Sequence, residues 1–219
     1  MACGGARLIF SYQGERLKEG VVKLVHEHFG EDMPLCELDV ASDASIDNFF
    51  RFVAEQTPRV DMLLHASEIG REAFRSSLDI SAYSLIALSR GVAPLMTNGG
   101  SITALTYHAS RCVVPNYNLM AVSKSALESC TRYLAYDLAQ RETPIRVNCI
   151  SAGPVQTLAA RGASGFTTML KLYQEKAPLH RSCTQDELGA MAAHLASDAA
   201  AAVTGQVLYV DGGYSIMGM

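Results

Sequence analysis

A chain of 219 residues is long enough to bury one substantial core and short for two, so a single domain spanning 1–219 is expected. Hydrophobic residues at 49% against only 18% charged exclude a disordered or solvating protein. A net charge of -4 with scattered Lys and Arg speaks against nucleic acid, no apolar run approaches a bilayer span, and Met1–Arg7 has no signal-peptide pattern, so a cytoplasmic protein is expected.

In chain order, short β-branched runs alternate with longer helical patterns, the mark of βαβ units and a parallel α/β sheet. The predicted strands are Arg7 to Tyr12, Leu35 to Val40, Val60 to His65, Gly100 to Thr106, Arg146 to Ser151 and Gln206 to Val210. The intervening helices are predicted at Glu15 to Phe29, Ser45 to Gln56, Ile80 to Met96, Tyr117 to Gln140, Gly165 to Glu175 and Gln185 to Ala196. Thr184 followed by Glu187 fits a capping box at the start of the last helix. Asn98-Gly99-Gly100 marks a helix stop before a strand. The six cysteines and six histidines fall at no metal-ligand spacing, so no metal is expected and the cysteines read as reduced.

Ligands of open parallel sheets lie beyond the carboxyl ends of the strands. Those positions hold Tyr12-Gln13-Gly14-Glu15, Asp39-Val40, His65-Ala66-Ser67, Tyr107 and Ser151-Ala152-Gly153-Pro154. Tyr117 and Lys124 are seven residues apart, close to two helical turns, so both side chains can stand on one helix face. Such a pair suits carbonyl chemistry: the phenol donates a hydrogen bond to a developing oxyanion, and the ammonium lowers the phenol's pKa and holds sugar hydroxyls. On spacing alone, Tyr and Lys are more often ordinary helix-surface residues than a catalytic pair, and Asp39 after a strand is more often a turn or N-cap residue than a ligand contact. His65 and His108 lack a neighbouring carboxylate in sequence and read as structural.

The run Val114-Pro115-Asn116-Tyr117 through Lys124, with Tyr107 in place of a Ser on the preceding strand end, resembles the bacterial enoyl-acyl-carrier-protein reductases of the short-chain dehydrogenase/reductase superfamily. The commoner ketoreductases carry their Tyr four residues before the Lys, where Met120 stands here. Phe10 to Leu17, Leu38-Asp39-Val40, Asp79 to Leu85, Ile150 to Ala160, and Val210-Asp211-Gly212-Gly213-Tyr214 are also similar to that family.

The resemblance implies a Rossmann-like, doubly wound parallel sheet and NADH-dependent reduction of a trans-2-enoyl thioester carried on acyl-carrier protein or CoA. It makes Tyr107, Tyr117 and Lys124 the catalytic residues, with Lys124 also on the nicotinamide ribose. Gln13, Asp39, Val40, Ser67, Val155, Gln156, Thr157, Leu158 and Ala159 become cofactor contacts, Thr157 near the pyrophosphate. Gln13 after Tyr12 favours NADH over NADPH, which Arg16 keeps in play. A homotetramer built through Ile80 to Met96 and Tyr117 to Gln140 is also implied, with Ala87, Ala126 and Ala135 suited to close helix approach. Cys3 to Arg7 matches the end of the family's first helix and the start of its second strand, so an N-terminally truncated member, without the Gly-rich phosphate turn, is expected. The alternatives are a related short-chain reductase with another substrate and an inactive homologue retaining the oligomer surface.

Overall fold

The computed structural model describes residues 7–29, 33–65, 74–115, 117–155 and 166–218. It begins with β1 (Phe10–Tyr12), α1 (Glu15–Phe29), β2 (Leu35–Glu37), α2 (Asp43–Gln56) and β3 (Met62–His65). A short α3 (Phe74–Leu78) runs through a π turn (Asp79–Tyr83) into α4 (Ser84–Val92) and a 3₁₀ turn (Ala93–Leu95). Then come β4 (Gly100–Thr106), α5 (Asn118–Ala139), β5 (Ile145–Ala152), α6 (Phe166–Lys176), α7 (Gln185–Ala196) and β6 (Val207–Val210).

Every strand pairing is parallel, in two separate ladders. β1 pairs with β2, while the larger sheet runs β3-β4-β5-β6, and no described strand joins the two. β4 and β5 pair over seven positions, from Gly100 with Ile145 to Thr106 with Ser151. Side chains of the larger sheet alternate between two cores, as pleating requires. Ile102, Ala104, Val147 and Cys149 join Leu85, Leu88, Val92 and Leu127 of α4 and α5 on one face. Ile150 meets Ala192 and Leu195 of α7 on the other, with Met62 and Leu105 packed alongside. Helices thus cover both faces of a parallel sheet, the doubly wound arrangement expected. The β1–β2 pair is attached through the first core, where Ile9, Cys36, Leu38 and Val40 meet Ile46, Phe49, Phe50 and Val53 of α2.

Several predicted boundaries move, for identifiable reasons. β1 and β2 shrink to three residues each, each having one partner strand among the described residues. The helix expected from Ile80 to Met96 starts earlier and is not uniform: Ser84 Oγ donates to the Ile80 carbonyl at 2.6 Å, and Pro94 sits in the closing 3₁₀ turn. Tyr117 is not inside α5 but at its N-cap, with φ -115 and ψ 21. The two-turn spacing to Lys124 survives because the Ala121 amide still donates to the Tyr117 carbonyl at 2.8 Å. Ala87 and Ala135, expected at a subunit contact, are instead 1% and 5% exposed within this chain's own core, and Ala126 packs against it. The predicted capping box forms in full: Glu187 N donates to Thr184 Oγ1 at 3.2 Å and Thr184 N to Glu187 Oε2 at 2.8 Å.

Candidate active site

Within each sheet the strands are parallel, so the carboxyl ends of that sheet open on one edge, and the predicted Gln13, Asp39, Val40, Tyr107 and Val155 follow strand ends. Gln13 follows β1 and Asp39 follows β2, and the structure joins them: Gln13 Nε2 donates to Asp39 Oδ1 at 3.1 Å. The same oxygen accepts from Ala41 N at 3.0 Å, so Asp39 is also the turn residue that its position suggested. Both side chains of the pair offer polar atoms to solvent, and Val40 beside them is half-buried against the core. Lys18 lies 5.7 Å over the Tyr12 ring and is paired with Glu15 at 2.9 Å. Ser67 and Gln156, Thr157, Leu158 and Ala159 lie outside the described residues.

Tyr107 leaves the end of β4 in an extended conformation and enters a 3₁₀ turn (His108–Ser110). Its ring meets that of Tyr117 at 5.2 Å between centroids and 67° between planes, an edge-to-face contact. Burial pushes the Tyr107 phenol pKa well above its ordinary value, with the neighbouring Tyr117 adding to it, so Tyr107 stays protonated as a donor. Lys124, only 6% exposed, reaches from α5 to the end of β4, where Nζ donates to the Leu105 carbonyl at 3.1 Å. The catalytic trio of the sequence reading is therefore brought to one place, the junction of β4 with α5.

Gly153, just past β5, is closely approached by its neighbours. A Cβ there would stand 3.1 Å from Tyr173 Cε1 and 3.3 Å from Asp211 Cα, so the loop leading to Val155 is pressed against α6 and the end of β6. Two buried groups lie near Tyr107: His108, expected from the sequence to be structural, and Glu128, to which the sequence reading assigned no role. His108 is 6% exposed, with its ring 4.2 Å from Tyr107, 5.3 Å from Tyr214 and 6.2 Å from Tyr173. Tyr173 stacks on Tyr214 at 3.8 Å. Glu128, 5% exposed, accepts hydrogen bonds from Thr106 Oγ1 at 2.8 Å and Ser110 Oγ at 2.5 Å. The surroundings of both come from distant positions in the chain, so the sequence marked His108 only as structural and left Glu128 without a role. Among the described residues no group of three or more His, Cys, Asp or Glu is placed to hold a metal.

The family model for enoyl-(acyl carrier protein) reductase matches residues 1–215. The chain belongs to the enoyl-acyl-carrier-protein reductase family. It is 45% identical to the NADH enoyl-[acyl-carrier-protein] reductase FabI of Rickettsia prowazekii, across 98% of this chain and 85% of that protein. It is 40% identical to the NADPH-labelled FabI of Staphylococcus aureus, across 96% of this chain and 86% of that one. Among solved structures, the Bacillus cereus family member with NADP+ and indole naphthyridinone superposes with a TM-score of 0.91 at 39% identity, covering 100% of this chain and 89% of that one. The Anaplasma phagocytophilum reductase in complex with NAD gives 0.84 at 37% identity, covering 95% and 81%. As a family member, the chain has the Rossmann-like α/β fold that its sequence implied.

Proposed function

We propose that this chain is an NADH-dependent enoyl-acyl-carrier-protein reductase of fatty-acid synthesis, acting on trans-2-enoyl thioesters of acyl-carrier protein or CoA. The observation that carries the reading is the convergence of Tyr107, Tyr117 and the buried Lys124 at the β4–α5 junction of a chain belonging to this family. The cofactor's place is supported by the exposed Gln13–Asp39 pair and by Gly153, where the lack of a side chain would let a ligand approach the backbone. When bound, NADH supplies the hydride, which adds to the β-carbon of the alkene.

The electron pair of the double bond then moves onto the thioester carbonyl, giving an enolate. Tyr117 donates its phenolic hydrogen bond to that oxygen, and the ammonium of Lys124 favours the negative charge; Lys124 would also hold the nicotinamide ribose. Protonation at the α-carbon completes the saturated thioester. Tyr107 lines the acyl side, with its proton retained. Gln13, Asp39 and Val40 would hold the adenosine end, while Val155, Gln156, Thr157, Leu158, Ala159 and Ser67 would hold the nicotinamide and pyrophosphate. NADH is preferred because Gln13 offers no charge to a ribose phosphate, and Lys18 is already paired with Glu15.

Residues 1–219 act as one domain, supported by the core shared between the two ladders. A homotetramer through α4 and α5 is supported by Ile86, Val122, Tyr133 and Tyr136, which are 38%, 46%, 71% and 68% exposed on those helices. A cytoplasmic location is in keeping with the family; no helix among the described residues is long and apolar enough to cross a membrane.

The test is calorimetric titration with NADH, then NADH oxidation with crotonyl-CoA and a Tyr117→Phe control. Turnover that falls about a hundredfold or more in the control is expected for loss of one oxyanion donor. A folded oligomer that binds no NADH, or a control that keeps full turnover, overturns the reading.

A further inference from the structure

Glu128 takes no part in the mechanism above, yet it is a carboxylate buried one helical turn beyond Lys124. Carboxylates are rarely buried unless hydrogen-bonded, because removal from water is expensive. Its Oε1 accepts both from Thr106 Oγ1 at 2.8 Å and from Ser110 Oγ at 2.5 Å. Those hydroxyls bracket Tyr107: Thr106 is the last residue of β4, and Ser110 closes the 3₁₀ turn that follows. One oxygen atom therefore pins both ends of the short segment that carries Tyr107. Ser125 Oγ adds a contact of the same kind, donating to the Ser110 carbonyl at 2.7 Å.

We infer that Glu128 is a positioning residue for the reductase: it holds the Tyr107 segment on α5, so that the Tyr107 ring stays edge-on to Tyr117 on the acyl side of the site. The inference rests on the reductase reading and on Tyr107 lining the acyl pocket. The chemistry suits a carboxylate, which only accepts, so both hydroxyls are compelled to donate inward and both bonds are charge-assisted. A Gln keeps an amide oxygen at the same place and can accept the same two bonds without the charge. Ala can accept neither.

Steady-state kinetics with NADH and crotonyl-CoA test this in Glu128→Ala, Glu128→Gln and Thr106→Val/Ser110→Ala. Glu128→Ala is expected to raise the KM for crotonyl-CoA about tenfold, the scale of losing charge-assisted hydrogen bonds, with a smaller change in kcat. Gln should recover most of that loss. The Thr106→Val/Ser110→Ala pair strands the carboxylate and should raise KM at least as far. Placed in a Tyr107→Ala background, Glu128→Ala should have little further effect on KM, because the ring it positions is gone. If Glu128→Ala does not fold, Thr106→Val alone removes one of the two bonds and should give an intermediate rise.

Wild-type KM in the folded variants, or an undiminished Glu128→Ala effect in the Tyr107→Ala background, overturns the inference. Tyr117→Phe measured alongside separates the failures: full turnover there sinks the reductase reading, whereas lost turnover there with unchanged Glu128 kinetics sinks only the positioning role.

Discussion

Replacing His108 by Phe gives a direct measure of what its burial does. The imidazole is 6% exposed among Tyr107, Tyr173 and Tyr214, and its Nδ1 has no hydrogen-bond partner among the described residues. Leaving such an atom buried costs about 1–3 kcal/mol, and a Phe ring keeps the edge-on aromatic contacts while removing the nitrogen. The larger ring adds some crowding, so a net gain of about 1 kcal/mol is expected, or roughly 2–4 °C in Tm for a chain of this size.

The pH dependence is more discriminating. Burial lowers the His108 pKa from its usual 6.5, opposed by the negative charge of Asp211. With the folded pKa below the unfolded one, the unfolded chain binds more protons as pH falls past about 6.5, so the folded state loses stability there until the folded pKa is reached. Phe has nothing to titrate, so its advantage over the wild type should widen from pH 8 to pH 5.5. Urea unfolding of both proteins across that range measures it, and the other histidines cancel in the difference. An advantage that is the same at both ends of the range refutes the argument.

Gly153→Ala should destabilise by about 1–3 kcal/mol by overpacking, because the new methyl meets the Asp211 backbone at 3.3 Å as well as Tyr173; thermal melts check this, and turnover should fall as the loop to Val155 shifts. Asp39→Ala removes the acceptor of both Gln13 Nε2 and Ala41 N and should raise the KM for NADH about fivefold to thirtyfold, read by initial rates. Thr184→Ala breaks a reciprocal cap and should lower stability by about 1 kcal/mol in urea unfolding, with kinetics at wild-type values.

Where the sequence carried strong local signals, the elements stand as expected. Helix α1 runs over the predicted Glu15 to Phe29, α7 over Gln185 to Ala196 behind its capping box, and β4 over Gly100 to Thr106 after a turn with Gly99 at φ 76. The shared face of Tyr117 and Lys124 was legible in the helical repeat, whereas their role, and that of Tyr107, came from the resemblance of the surrounding run to the family. What was illegible depended on partners far along the chain. Glu128 reads in sequence as a solvent-facing helix residue, and its hydroxyl donors are 22 and 18 positions away. His108 looked like an isolated strand-end histidine until α6 and the chain's last turn brought Tyr173 and Tyr214 against it. The amphipathic stripe of Ile80 to Met96 cannot distinguish an α-helix from one interrupted by a π turn, because the interruption lies in backbone bonding and not in which residues are apolar.

The two ladders divide the proposed work. Tyr107, Tyr117 and Lys124 are tied together by the β4–α5 junction, where Lys124 meets the Leu105 carbonyl and Glu128 and Ser125 fasten the following turn. The reacting groups are thus set by one strand and one helix, which suits chemistry that is sensitive to small misplacement. Gln13 and Asp39 sit instead on a three-residue ladder held to the rest through α2 and its contacts with α4. Short ladders with one partner open more readily than a strand paired on both sides, as β4 and β5 are. A dinucleotide held as proposed, from Asp39 to Lys124, would bridge these two supports. Cofactor binding should accordingly stabilise the whole chain by mass action, with amide protection expected to rise most in β1 and β2, whose ladder is the shortest among the described strands.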